Sequence, residues 1–200
     1  MAANHYFSRK PTREPHYGLI RVHLRGRLFE FVTASGVFSR KRIDLGTKIL
    51  IESMVLPEKG NVLDFGCGYG AVGIVAAALH PNLCVYMVDV NPRAVRLAKE
   101  NAKRNDASNL IFKCGFLYEP ATDVAFDAVL SNPPVSAGLK VVLPMIEQAP
   151  LHLIGNGVLE VVVRSNVGGK RLVGVMKEVF GNVEVLARQS GYRVLLSRKP

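Results

Sequence analysis

Asp64, Gly66, Cys67, Gly68 and Gly70 fall in one run, VLDFGCGYG, at residues 62–70. Apolar stretches flank it on both sides, and glycines between a strand and a helix let the backbone turn tightly and pass close to a ligand. The spacing is GxGxG rather than the GxGxxG of dinucleotide binders. An acid also stands two positions before the first glycine. A carboxylate there suits a cationic amino-acid ligand better than a pyrophosphate. Asp89 ends the next apolar run, CVYMVDV, 25 residues after Asp64. An acid at that strand end can accept hydrogen bonds from both hydroxyls of a ribose. Its plainer role is a helix cap or a surface acid.

A second stretch, VLSNPPVSAG at 129–138, sets Asn132-Pro133-Pro134 directly after an apolar run. Proline has no N–H to give a sheet and holds φ near about −65°. The pair ends a strand and stiffens the turn behind an amide side chain. Read plainly, this is loop punctuation. Read chemically, it is a polar group held in one place before it is needed.

The elements that must position these residues alternate from Gly60 onward. Strands are expected over 61–65, 84–90, 110–114, 126–131 and 157–164, and helices over 71–79, 139–153 and 168–180. Asn91-Pro92 reads as a helix cap followed by a first-turn proline. Ala94, Leu97, Ala98 and Ala102 mark the buried face of that helix. Gly181 can end the last helix, and Ser190-Gly191 joins two closing strands as a hairpin. Alternation of this kind argues for an α/β sheet with helices on both faces and an antiparallel strand at its C-terminal end. Residues 1–59 break the rhythm. RLFEFVT (27–33) alternates like an edge strand, and Thr47 is the expected cap of a helix reaching about Val55. The expectation is one unit over 1–200, with 1–59 as an N-terminal extension packed on a 60–200 core.

Composition narrows the classes. The 200 residues are 48% hydrophobic, enough for a real core. The longest apolar run, Ala71 to Leu79, is half the ~18 residues of a membrane span. The first residues hold no apolar signal core. A cytoplasmic protein without membrane contact is expected. Cys67, Cys84 and Cys114 form no CxxC pair, so neither a metal site nor a disulfide framework is expected. The formal charge is +10; residues 1–60 hold 11 Lys/Arg against 5 Asp/Glu, and the remainder 15 against 11. A basic front suggests a polyanion, most simply a nucleic acid, although basic surfaces also serve solubility.

The three motifs in order, D-x-G-C-G-x-G, V-D-V-N and N-P-P, resemble the class I S-adenosylmethionine-dependent methyltransferases. SGVFSRKRIDLGTKIL (35–50) with NPPVSAG resembles the small-domain family among them, which includes ribosomal RNA guanine-N2 methyltransferases of the small subunit. HYFSRKP at the start resembles its short archaeal branch. The resemblance covers nearly the whole chain. It implies a Rossmann-like seven-stranded, mostly parallel sheet with S-adenosyl-L-methionine over the strand ends. Gly66, Cys67, Gly68 and Gly70 would lie under the methionine portion, Asp64 near its ammonium, and Asp89 with Val90 at the ribose. Phe38 and Thr47 would help close the pocket. Phe116, next to Gly115 in the cofactor site, stands where the family often has an acid for the adenine amine, so either the Phe116 ring would pack on the adenine or a backbone group would take over that contact.

The Asn132 side-chain oxygen and the Pro133 carbonyl would accept the hydrogens of a base amine and turn its lone pair outward, with Pro134 holding the turn. Val135 takes the position usually given to a stacking aromatic, for which Tyr6 or Phe7 can substitute. A paired base would have to be flipped out. Arg9, Lys10, Arg13, Arg40, Lys41 and Arg42 are the candidate RNA contacts, with ribosomal RNA or the small ribosomal subunit as partner. The competing readings are a protein glutamine-N5 methyltransferase, a DNA adenine methyltransferase and a non-catalytic cofactor- or RNA-binding subunit. A nicotinamide dehydrogenase is disfavoured by the GxGxG spacing.

Overall fold

Uninterrupted apolar strands need cover on both faces, and the fold supplies it. The structure is a computed structural model that describes residues 16–37, 42–133 and 139–200. Seven strands form the central sheet: β3 (Gly60–Phe65), β4 (Leu83–Asp89), β5 (Leu110–Cys114), β6 (Phe126–Ser131), β7 (Leu153–Arg164), β8 (Glu184–Gln189) and β9 (Tyr192–Arg198). Their spatial order is β5-β4-β3-β6-β7-β9-β8. The first five are mutually parallel, and β9 runs antiparallel between β7 and β8. The hairpin between β8 and β9 turns at Ser190 (φ 48°) and Gly191 (φ 80°), as the dipeptide predicts.

Helices α1 (Leu45–Ser53), α2 (Ala71–Leu79) and α3 (Pro92–Arg104) share one core with one sheet face; Leu50, Ile74 and Leu97 meet Val62, Val85 and Leu130 there. Helices α4 (Leu139–His152) and α5 (Lys170–Phe180) cover the other, where Met145, Ile146 and Met176 pack with Leu63, Val129 and Leu195. Helix α4 runs through Pro144 and Pro150. The chain builds outward from β3 to β5 and then returns to β6 on the other side of β3. A crevice opens at the carboxyl ends of strands where their order reverses in this way.

Helix α2 is sheathed all round: seven of its nine residues are buried. It lies so close to the sheet that a Cβ at Gly70 would sit 3.0 Å from Met87 Cε of β4, and one at Gly73 3.0 Å from Asp64 Oδ2 of β3.

Several boundaries differ from the sequence expectation for physical reasons. Asp44, not Thr47, caps α1: it is extended (φ −63°, ψ 140°), and its carboxylate accepts from the Thr47 N–H at 3.0 Å. Strand β7 begins at Leu153, before the expected Gly157, because Leu153 already pairs with Phe126. A wide turn at Ser165–Gly169 delays α5 to Lys170.

The RLFEFVT run is a strand, but not an edge of the central sheet. As β2 (Arg27–Ala34) it pairs with an unforeseen β1 (Tyr17–Leu24) in a separate hairpin. The Arg25-Gly26 turn (φ 50° and 76°) has the handedness that two-residue hairpins favour. Helix α3 covers the other edge of β2. Asn101 accepts from the Val32 N–H (2.7 Å) and donates to its carbonyl (2.9 Å); Asn105 does the same at Glu30 (2.9 and 2.8 Å). Four helical residues advance about 6 Å and two strand residues about 6.6 Å. The two asparagines therefore act as a third strand for β2 and close an edge that would otherwise invite pairing.

Candidate active site

The glycine loop leaves β3 and is knitted to the end of β4. The Gly66 and Cys67 N–H groups both donate to the Val88 carbonyl (2.9 and 3.0 Å), and Gly68 N–H donates to Asp89 Oδ2 at 2.9 Å. The other Asp89 oxygen accepts from Asn91 N–H at 2.8 Å. Burial raises the Asp89 carboxyl, while these two N–H bonds pull it back. Asp64 lies deeper. Its Oδ2 accepts from Gly73 N–H at 2.9 Å, and burial, with a smaller push from Asp89, raises its pKa to about 7. A buried carboxyl in that state gains from a cation brought beside it. Burial foremost, then Asp89 and Asp64, push the Cys67 thiol well up, so it stays protonated and is no nucleophile.

Among the described residues, one cleft collects most of the candidates. Thr47, Asp64, Gly66, Cys67, Gly68, Asp89, Val90, Gly115, Phe116 and Asn132 all line it. Gly70 does not belong with them: it turns into the core against Ile74, Met87 and Ala98 and begins α2. Gly66 (φ 73°) and Gly68 (φ 57°) differ from it, since a Cβ at either would meet no atom within 4 Å. Their left-handed backbones face open space, which is what a ligand lying on the loop requires. Phe116 leaves a large ring 39% exposed at the rim. Gly115 N–H donates to the Asp89 carbonyl at 3.1 Å, so the rim is tied to the end of β4.

Across the cleft, Ser131 Oγ donates to the Phe65 carbonyl at 2.9 Å and fixes the last residue of β6 to the end of β3. Asn132 follows, half-buried, with Pro133 buried behind it. Asn132 Nδ2 donates to Thr47 Oγ1 (2.8 Å) and to Asp44 Oδ2 (3.0 Å). Thr47 thus lines the cleft and holds the amide at once.

Arg42 is exposed just before α1. Arg9, Lys10, Arg13, Phe38, Arg40, Lys41, Pro134 and Val135 lie outside the described residues, as do Tyr6 and Phe7. Sequence reasoning missed Gly36, Val37 and Tyr69, which also line the cleft. It read Asn91 only as a cap. Asn91 does accept from Arg93 N–H (3.0 Å), but its Nδ2 also donates to the Gly36 carbonyl at 3.1 Å and draws the end of the hairpin to the cleft. Asn101 does similar work, donating to the Tyr69 carbonyl at 2.8 Å.

The fold has close relatives. A 16S rRNA N2 G1207 methyltransferase of T. thermophilus, solved with AdoMet and guanosine, superposes with a TM-score of 0.83 over 96% of this chain and 52% of that one, at 24% identity. In sequence, the chain is 35% identical over 199 residues to the uncharacterized protein YbxB of Bacillus subtilis, covering 98% of this chain and 99% of that protein. It is 32% identical over 171 residues to the ribosomal RNA small subunit methyltransferase C of Photorhabdus laumondii, covering 84% of this chain. The chain spans about half the length of that relative, 49%. The methyltransferase small domain pattern itself matches residues 28–196, from β2 into β9. With that match running across the glycine loop, the strand-end acid and the Asn-Pro turn alike, the chain belongs to the methyltransferase small domain family.

Proposed function

We propose that this chain methylates the exocyclic N2 amine of a guanine in small-subunit ribosomal RNA, drawing the methyl group from S-adenosylmethionine. The observation that carries the reading is that one cleft holds both a loop fit for an amino-acid nucleoside and, facing it, an amide at the end of β6. The relatives supply the substrate class: small-subunit ribosomal RNA from the similarity in sequence, N2 of guanine from the similarity in structure.

When bound, S-adenosylmethionine supplies an electrophilic methyl group on a sulfonium. The residues present fit it. Asp64 offers a buried carboxylate to the ammonium, and Gly66 and Gly68 offer a backbone surface with nothing standing above it. Asp89 offers acceptors for ribose hydroxyls, and Phe116 a ring for the adenine.

A nucleobase amine is a poor nucleophile because its lone pair is delocalised into the ring. Asn132 Oδ1 and the Pro133 carbonyl accept its two hydrogens, pull the nitrogen toward a pyramidal geometry and direct the lone pair into the cleft. The prolines keep these acceptors from relaxing, so no reorganisation is needed as charge develops. The proton becomes acidic once the nitrogen carries positive charge, and no strong base is required beside it. The basic N-terminal region and Arg42 serve the phosphate backbone.

Small ribosomal subunits from cells lacking this gene, incubated with purified protein and methyl-labelled S-adenosylmethionine, test the reading. Mass mapping of the ribosomal RNA should show one new N2-methylguanosine. Label appearing on glutamine of a protein, or on another base, would replace the proposal.

A further inference from the structure

We infer that Asp44 is a positioning residue for methyl transfer: it sets the Asn132 amide so that Oδ1, and not Nδ2, is presented to the accepting amine. The inference rests on the reading of Asn132 given above.

A primary amide carries two hydrogens on nitrogen and two lone pairs on oxygen, and its two ends are nearly the same size. Which end faces the cleft is decided by its partners. Here Nδ2 lies 2.8 Å from Thr47 Oγ1 and 3.0 Å from Asp44 Oδ2, so both hydrogens are committed to α1. The group is planar, which leaves Oδ1 directed away from α1. Thr47 cannot choose the orientation, because a hydroxyl both donates and accepts. An ionised carboxylate only accepts. Turning the amide over would set Oδ1 against Asp44 Oδ2, two acceptors with no hydrogen between them. The polarity of the active-site amide is therefore written into Asp44.

Asp44 is itself held. The same Oδ2 accepts from the Thr47 N–H at 3.0 Å, at the helix end where the backbone dipole favours an anion. The neighbouring Gly46 makes room for it: a Cβ there would stand 3.0 Å from Asp44 Oδ2 and 2.9 Å from the Tyr192 ring. One oxygen thus caps α1 and orients a residue 88 positions away in the chain.

Three variants separate the two roles. Asp44→Ser keeps a good helix cap, but its hydroxyl is too short to reach Asn132. Asp44→Asn keeps an oxygen at that place, because the Thr47 N–H that caps α1 needs an acceptor there and so holds the new amide with its oxygen toward Asn132. Asn132→Ala identifies the Asn132 side-chain NH₂ signals in ¹⁵N–¹H spectra by their loss. In the wild type and Asp44→Asn these hydrogens should exchange slowly with water. In Asp44→Ser their exchange should accelerate, and methyl transfer to small ribosomal subunits should fall about 10- to 100-fold, the range carried by groups that orient a metal ligand. Cofactor affinity and melting temperature should stay near the wild type. Unchanged exchange in Asp44→Ser overturns the inference, as does fast exchange with full transfer, or failure of Asp44→Asn to restore both. If the wild-type protein methylates no ribosomal RNA, the proposed function fails, and amide exchange still decides whether Asp44 holds Asn132.

Discussion

On the wall of the cleft made by β3, β4 and β5, the contacts of the glycine loop and its two acids join near neighbours in one stretch of chain. Gly68 reaches Asp89 across 21 residues, and Asp64 reaches Gly73 across nine. The facing wall is assembled from distant parts. Asn132, at the end of β6, is held by Thr47 and Asp44 across 85 and 88 residues. The first wall is a property of a βαβ unit. The second exists only when α1 is docked beside the end of β6. Under the proposed function, damage to α1 should therefore reach the chemistry while leaving the glycine loop in place, and damage to the loop should do the reverse.

Asn132→Ala gives the largest separation. Loss of one preorganised polar contact costs about 10²–10³ in rate, or about 2.7–4 kcal/mol. Single-turnover transfer should fall by that factor while calorimetric affinity for S-adenosylmethionine stays near the wild type. A normal rate in folded Asn132→Ala would break the division between walls, and a melting temperature lowered without rate loss would make the amide structural.

Asp89→Ala strikes the other wall. Removal of charge-assisted hydrogen bonds costs about 1.5–3 kcal/mol, so affinity for S-adenosylmethionine should drop by about 10- to 150-fold, measured by calorimetry. The transfer rate at saturating cofactor should change much less. Unchanged affinity would remove Asp89 from the ribose site.

The smallest effect is a pH dependence from Asp64. Its carboxyl is raised from 3.8 to about 7 by burial. Folded protein holds that proton more tightly than unfolded protein, so stability present below about pH 4 is lost as pH rises toward about 7. A bound ammonium favours the ionised form, and binding releases the proton below about pH 7. Affinity for S-adenosylhomocysteine should then rise about tenfold, or about 1.4 kcal/mol, between pH 6 and pH 8. Asp64→Asn should flatten that rise, which separates it from titration of the ligand's own amine. An identical profile in the variant would place the ammonium elsewhere.

The conformation of the glycine loop was legible because its requirements are local. Glycine at 66 and 68, an acid two positions before and another at the next strand end all fall in a short reach of chain. Gly70 shows the edge of that legibility. It shares the motif and the positive φ (98°), yet it serves packing against Ile74 and Met87. Spacing cannot tell a glycine that admits a ligand from one that admits a neighbouring side chain. Asn91 and Asn101 show the same limit, since a helix cap and an amphipathic stripe do not reveal which distant carbonyl an amide will reach.

By itself, then, the sequence determined the alternation of buried strands and helices, the glycine-loop motif with its two acids and the rigid Asn-Pro turn. Each depends on backbone preferences and burial patterns that neighbouring residues decide. Tertiary structure alone decided that RLFEFVT would pair outside the main sheet, that two asparagines of α3 would close its edge, and that Asp44 would meet Asn132. The last two are contacts of high sequence separation between small polar groups, and the first follows from α3 taking the edge of β2 that a sheet strand would have needed. Their partners are set by how helices and strands pack, and no local pattern of residue types encodes that packing.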